Sequence, residues 1–321
     1  MIEKIIPKDE TEWLALRAKN VNSTDIAALF GLSPYATEFE FWHRIKGNVV
    51  VNFQENQRSK WGKRLETSIA EGVAEDKEWK IRPMKEYIQD TELRIGSSFD
   101  FAVVDSFHQP SMEAGAIHAE VIKDLAILEI KNVDGMQFRN GWIVDENKNV
   151  EAPPHIELQV QHQLMLTGLP LAYIAAFIGG NDVKLLTRTP DAKVAAKIKA
   201  KIEHFWMSQE RNMPPQPNFA KDAEIISKLY GYAEQGKIIE PNDDVRRLAK
   251  VYKEASLAEK KAKAEKDAAK AEILTLIGNA EKCKAEDFSI SASMIKPCVM
   301  QYTREGYRDF RVFWKKEKEE K

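Results

Sequence analysis

Leu125-Ala126-Ile127-Leu128-Glu129-Ile130-Lys131 is an apolar run that ends in an acid, an apolar residue and a base. A nearly continuous apolar stretch of this length is the mark of a strand buried on both faces, at the centre of a sheet. Strand side chains alternate, so Glu129 and Lys131 share one face while Ile130 points to the other. An isolated E-x-K triplet is ordinarily a solvated ion pair. Here it emerges at the end of a core strand, where an unpaired charge is costly unless it is used.

A second acid precedes it in Arg94-Ile95-Gly96-Ser97-Ser98-Phe99-Asp100. Asp100 and Glu129 at facing strand ends could hold a hard divalent cation, which takes one or two carboxylates and completes its shell with water and phosphate oxygens. Lys131 would then stand beside the metal. There it could help deprotonate or orient an attacking water while the metal lowers the water's pKa and steadies charge on phosphorus. The arrangement points to a nuclease.

The 321-residue chain has room for one large domain or one domain with an accessory region. With 43% hydrophobic and 31% charged residues and no long apolar run, it reads as a soluble globular protein, neither membrane-spanning nor exported, with a cytoplasmic location as the default. Cys283 and Cys298 are far from any C-x-x-C spacing, so two buried free thiols are expected and no zinc, iron–sulfur or disulfide framework. A net charge of -2 gives no global basic surplus, so any DNA path must be local.

Periodicity and punctuation predict three to four helices before any strand. Thr11 to Arg17 opens the first, Asn22-Ser23-Thr24-Asp25 caps the second, Thr37 caps the third, and Lys60 to Glu66 leads a long one carrying Ile69, Ala70 and Val73 on one face. Strands follow over Trp79 to Ile88, Leu93 to Val104 and Leu125 to Val133, with Ser106 to Lys123 as a strand extension or flap. After Pro153-Pro154 come a helix from His155 to Thr167, strands Leu171 to Ile178 and Val183 to Thr189 around Gly179-Gly180-Asn181-Asp182, and a helix capped by Asp191. Met213-Pro214-Pro215-Gln216-Pro217 is a stiff linker, dividing a domain at 1–213 from an accessory region at 214–321. That region holds an Ala/Lys/Glu helix from Asp244 to Ile277, about 50 Å at helical rise. Strands at Asp287 to Ala292 and Tyr307 to Trp314 make a small β unit. Arg308 and Arg311 alternating with Tyr307, Phe310 and Phe313 could contact nucleic acid, and a half-buried strand with a basic outer face explains them equally well.

The stretch from about Trp13 to Trp206 resembles the phage lambda exonuclease family of recombination nucleases, the YqaJ type within the PD-(D/E)-x-K superfamily. The matching pieces are Arg17 ahead of Asn22 to Ile26, Trp61 to Glu66, Ser97 to Asp100, Leu128 to Lys131, and Gln159 to Gln163 with Thr167-Gly168. The resemblance implies an α/β (α+β) fold: a central mixed sheet flanked by helices, the restriction-endonuclease-like core, followed here by the helical arm and β unit. It implies a magnesium-dependent 5'-to-3' exonuclease on linear double-stranded DNA, leaving 3' overhangs for a single-strand annealing protein. Mn2+ could substitute, and a homotrimer is implied.

Roles carry over by position. Asp100 and Glu129 resemble the metal carboxylates, with the Ile130 backbone carbonyl and Glu66 completing the set or its waters. Lys131 resembles the catalytic lysine and Gln159 the glutamine flanking the nucleophile. Gln161 and Gln163 are left unassigned, since Gln159, Gln161 and Gln163 cannot all face one site on a helix. Arg17 and Thr24 resemble the pair gripping the 5'-terminal phosphate. A guanidinium can hold phosphate bidentately, and helix N-terminal amides favour an anion.

Phe99 stands where the family has proline, Thr24 where it has serine and Ile156 where it often has an aromatic, and the 106–123 insertion is longer than usual. His155 and His162 read as surface or capping residues, and Trp13, Trp42, Trp61 and Trp206 as core aromatics. Two alternatives remain at this level: an endonuclease or helicase-coupled nuclease of the same superfamily, and a catalytically silent DNA-end-binding scaffold.

Overall fold

The computed structural model describes residues 1–49, 57–108, 120–299, 308–310 and 312, and its chain forms two compact units, Met1–Leu229 and Tyr230–Lys321. In the first unit the elements run β1 (Ile2–Ile5), α1 (Glu10–Ala18), β2 (Val21–Asn22), α2 (Ile26–Leu29), α3 (Glu38–Ile45) and α4 (Gln57–Lys77). Then come β3 (Lys80–Pro83), β4 (Tyr87–Asp90), β5 (Ile95–Ser97), β6 (Phe101–His108), β7 (Glu120–Val133) and α5 (Gly135–Gly141). The unit closes with β8 (Ile143–Val144), β9 (Val150–Glu151), α6 (Pro154–Thr167), β10 (Ala172–Ile178), β11 (Asp182–Arg188), α7 (Ala192–Glu210) and α8 (Ala223–Leu229).

The central sheet has the order β11-β10-β7-β6-β3, with β7 in the middle and parallel to β10 while its other pairings are antiparallel. The mixed sheet flanked by helices expected from the sequence is therefore present. On one face Phe101, Val103, Ala126, Leu128, Ile130 and Ala175 pack against Leu65, Ile69, Ala70 and Val73 of α4. On the other, Ala102, Ile127, Ile174 and Ala176 join a core built from α2, α6 and α7, including Leu29, Leu164, Ile202 and Phe205. This strict alternation along β7 sends Glu129 and Lys131 to the α6 side.

The β6–β7 register shifts between Val103 and Val104: Val103 faces Ala126 but Val104 faces Asp124, leaving Leu125 as the extra residue of a β-bulge. Pairing ends at Phe101 opposite Leu128, one step short of Asp100 and Glu129.

Several expectations change. Strands β1 and β2 precede α3 and α4, so the opening is not purely helical. Both are too short to leave a period-2 signature. Trp79 to Ile88 breaks into β3 and β4, and Leu93 to Val104 into β5 and β6, because each half joins a different sheet: β4 and β5 belong to a second sheet of order β1-β4-β5-β2. Thr24 is not a cap; Asp25 is the N-cap of the four-residue α2 and its side chain makes no capping bond. Thr37 and Asp191 do cap, accepting from Glu40 N, and from Lys193 N and Val194 N. His162 is 0% exposed, whereas Trp61 is 50% exposed on α4. The expected flap at 106–123 falls mostly on residues outside those described.

In the second unit, α9 (Asp243–Ile277) is capped by Asn242, accepting from Val245 N, and ends at Gly278. β12 (Lys282–Lys284) pairs antiparallel with β13 (Ser289–Ser291). The basic strand expected at Tyr307 to Trp314 lies outside the described residues apart from 308–310 and 312, which are not in a strand. Neither cysteine is buried as expected: Cys283 is half-buried in the hairpin and Cys298 exposed.

Candidate active site

Asp100 is the last residue before β6, on the segment 97–100 that carries the chain from the small sheet into the large one. Where the strand ladder stops, its Oδ2 accepts the Ile130 N–H at 2.7 Å, so side chain replaces backbone as the partner of β7. Burial, the neighbouring Glu129 and, more weakly, Glu66 push the Asp100 carboxyl well above the usual carboxylate range, with Lys131 and the Ile130 bond opposing.

Glu129 is 3% exposed and bonded at both oxygens. Its Oε1 accepts from Lys131 Nζ and from Gln159 Nε2, both at 2.6 Å, and its Oε2 from Gln163 Nε2 at 2.8 Å. Burial pulls the Lys131 amine down, but Glu129 and Asp100 outweigh it and leave the amine above its ordinary value, hence charged at neutral pH. Glu66, one turn before Ile69 and Ala70 on α4, is half-buried at the margin of this cluster. Burial first and Glu129 second push its carboxyl up.

Gln163 was not among the expected site residues. Gln159 and Gln163 are four apart and lie on one face of α6, while Gln161 turns away to donate to Thr189 O and accept from Asp191 N. The i, i+4 spacing was the available signal. His155, a further four residues back, continues the stripe to the open end of the site. The Tyr35 ring meets it edge-on, with centroids 5.9 Å apart.

The other expected pair also meets. Arg17 Nη2 donates to Thr24 Oγ1 at 3.0 Å, stands 3.9 Å from Asp25 and lies over the Trp13 ring at 4.9 Å. Trp13 Nε1 donates to Ser98 Oγ at 2.8 Å, and Ser98 O accepts from Ser97 Oγ and from Gln163 Nε2. Residues 97–100 thus tie the Arg17 pocket to the acidic cluster.

Asp100 and Glu129 offer the hard oxygens that a divalent cation takes, and the electrostatic cost of holding a half-buried and a buried carboxylate side by side is what a cation would relieve. Among the described residues, no three His, Cys, Asp or Glu side chains stand close enough together to hold a metal ion. Two carboxylates suit magnesium, which keeps waters and phosphate oxygens in its shell.

Residues 12–170 match the family model of the YqaJ-like viral recombinase domain. This stretch belongs to that family. The YqaJ-like domain contains every residue of the two clusters just described, from Trp13 to Gln163. The chain is also similar in fold to the alkaline exonuclease of Laribacter hongkongensis at 15% identity, over 67% of this chain and 99% of that one, with a TM-score of 0.46. A phage-related exonuclease from Haemophilus somnus 129PT matches at 12% identity over 60% and 95%, with a TM-score of 0.38. No curated protein sequence matches the chain.

Proposed function

We propose that the chain is a divalent-metal-dependent 5'-to-3' exonuclease that degrades one strand of linear duplex DNA and leaves 3' overhangs for a single-strand annealing partner. The observation that carries this reading is the buried Glu129 carboxylate held by Lys131, Gln159 and Gln163 beside Asp100. A structural ion pair does not need two further amide donors and a second, electrostatically strained acid next to it.

Mg2+, or Mn2+ in its place, would be held by Asp100, Glu129 and the Ile130 carbonyl, with Glu66 reaching it through its waters, and would supply charge neutralisation and a more acidic water. Lys131, kept protonated by its neighbours, orients the attacking water and donates to charge developing on the phosphate. Gln159 and Gln163 fix the rotamer of Glu129. Arg17, stacked on Trp13 and bonded to Thr24, offers a guanidinium edge to a 5'-terminal phosphate, and the 97–100 segment sets its spacing from the acids. A homotrimer and a cytoplasmic setting belong to the same reading.

The test is digestion of linear duplexes bearing 5'-phosphate or 5'-hydroxyl ends, with magnesium and with EDTA. We expect the phosphorylated end to be digested faster and EDTA to abolish digestion. The Lys131→Ala protein should stay folded but unfold at a lower temperature than the wild type, because Glu129 loses its cation, and should digest at least about 100-fold more slowly. Undiminished digestion by Lys131→Ala sinks the site assignment, and cutting of closed circular duplex would favour an endonuclease.

A further inference from the structure

Tyr35 is the most unusual exposed aromatic near the site. Its side chain is 80% exposed, yet its backbone is fixed. Ser33 Oγ accepts from Tyr35 N and Ala36 N, and Leu32 N and Ser33 N both donate back to Ala27 O. At the other end of the loop, Thr37 caps α3 and donates to Asp222. Pro34 removes one more degree of freedom. A large ring held rigidly in solvent gains nothing for the fold, but it is preorganised for a flat ligand.

Its location decides which ligand. Among the described residues the ring it meets is that of His155, half-buried in the first turn of α6 at the start of the stripe His155–Gln159–Gln163 whose other members hold Glu129. The rings meet at 90°, so His155 buttresses the phenol without stacking on it, and at 80% exposure a face of the Tyr35 ring is left to solvent. Tyr35 also stands within electrostatic reach of Lys131, and burial together with Lys131 lowers His155 so that the imidazole is neutral at pH 7.

We propose that Tyr35, buttressed by His155, is the platform on which the nucleotide beside the reacting phosphate stacks. This rests on the nuclease reading. Each base has a π-face, so stacking positions the strand without selecting sequence. A terminal nucleotide freed from its pair needs such a surface to keep the next phosphate at Glu129 and Lys131. Ile156, at the place where the family often carries an aromatic, is buried in the core and offers none.

The experiment uses duplexes with 2-aminopurine as the first or second nucleotide at the 5' end, bound by the Lys131→Ala protein so that cutting does not intrude. Binding should quench the probe at one of these positions. Adding Tyr35→Ala should restore most of the fluorescence and Tyr35→Phe should not. In the otherwise wild-type chain, Tyr35→Ala should raise KM about ten-fold with kcat within about two-fold, and Tyr35→Phe should stay within about two-fold on both. Equal quenching with and without Tyr35 overturns the proposal. So does a fall in kcat for Tyr35→Phe, which would make the hydroxyl part of the chemistry. If the probe is quenched through Tyr35 but the wild type digests nothing, the nuclease reading fails and the platform stands. Absence of binding overturns both.

Discussion

Asp100 carries the electrostatic cost of the site. Its carboxyl is raised by burial and by Glu129, so the folded state prefers it protonated. The stabilisation that goes with a raised pKa is present below the unfolded value and is lost as pH rises through the folded one, so Asp100 makes the fold less stable toward neutral pH than in acid. Asp100→Asn keeps the size and an acceptor for the Ile130 N–H while removing the charge. We expect it to raise the urea midpoint at pH 7 and to lower digestion at least about 100-fold. A midpoint unchanged or lowered would mean that the charge is already compensated. At this scale much was legible: alternation alone puts Glu129 and Lys131 on one face, and both reach the same cluster as Asp100. Gln163 escapes a reading that takes the three alternating glutamines as one set, although a four-residue step returns to the same helical face. His162 reads as a surface residue because nothing in sequence separates a buried imidazole from a surface one. Burial lowers it to about 4, against the opposing Val21 backbone and Asp25.

Gly96 links element geometry to the Arg17 pocket. It lies in β5 against Tyr87 of β4, and a Cβ at this position would sit 2.0 Å from the phenol oxygen and 2.4 Å from its ring carbon. Tyr87 is buried and donates to Asn22 Oδ1, and Asn22 in turn donates to Arg17 O and to Asp25. Gly96→Ala must therefore displace a buried tyrosine and its hydrogen bond. We expect a loss of about 2 kcal/mol or more in urea unfolding and a weaker preference for 5'-phosphorylated ends. Wild-type stability in that variant would show that the ring has room to move. The glycine itself stood out in sequence, but its reason did not, because the ring it meets belongs to a neighbouring strand. The breaks at residues 84–86 and 98–100 have the same cause: each falls where the chain passes between two sheets, a division that local composition does not show.

At the scale of the molecule, the two units are joined through a stretch in which residues 230–242 are all exposed, ahead of an α9 with no buried residue. Trypsin should cut first at Lys237, giving fragments that separate the compact units, and 1–237 should retain the unfolding transition of the first. Early cleavage inside 57–108 instead would place the weakest point elsewhere. The α9 arm was readable from its Ala/Lys/Glu composition and Gly278 stop, whereas the end of the first unit was less so. Ile225 of α8 packs with Phe39 and Val49, a long-range contact that local punctuation does not reveal. The bulge at Leu125 has a consequence for how this chain tolerates change. It divides the β6–β7 hairpin into an inner half, whose register sets Asp100 against Ile130, and an outer half with its own register. A change of register in the outer half can therefore stop at the bulge without altering how Asp100 meets the Ile130 N–H.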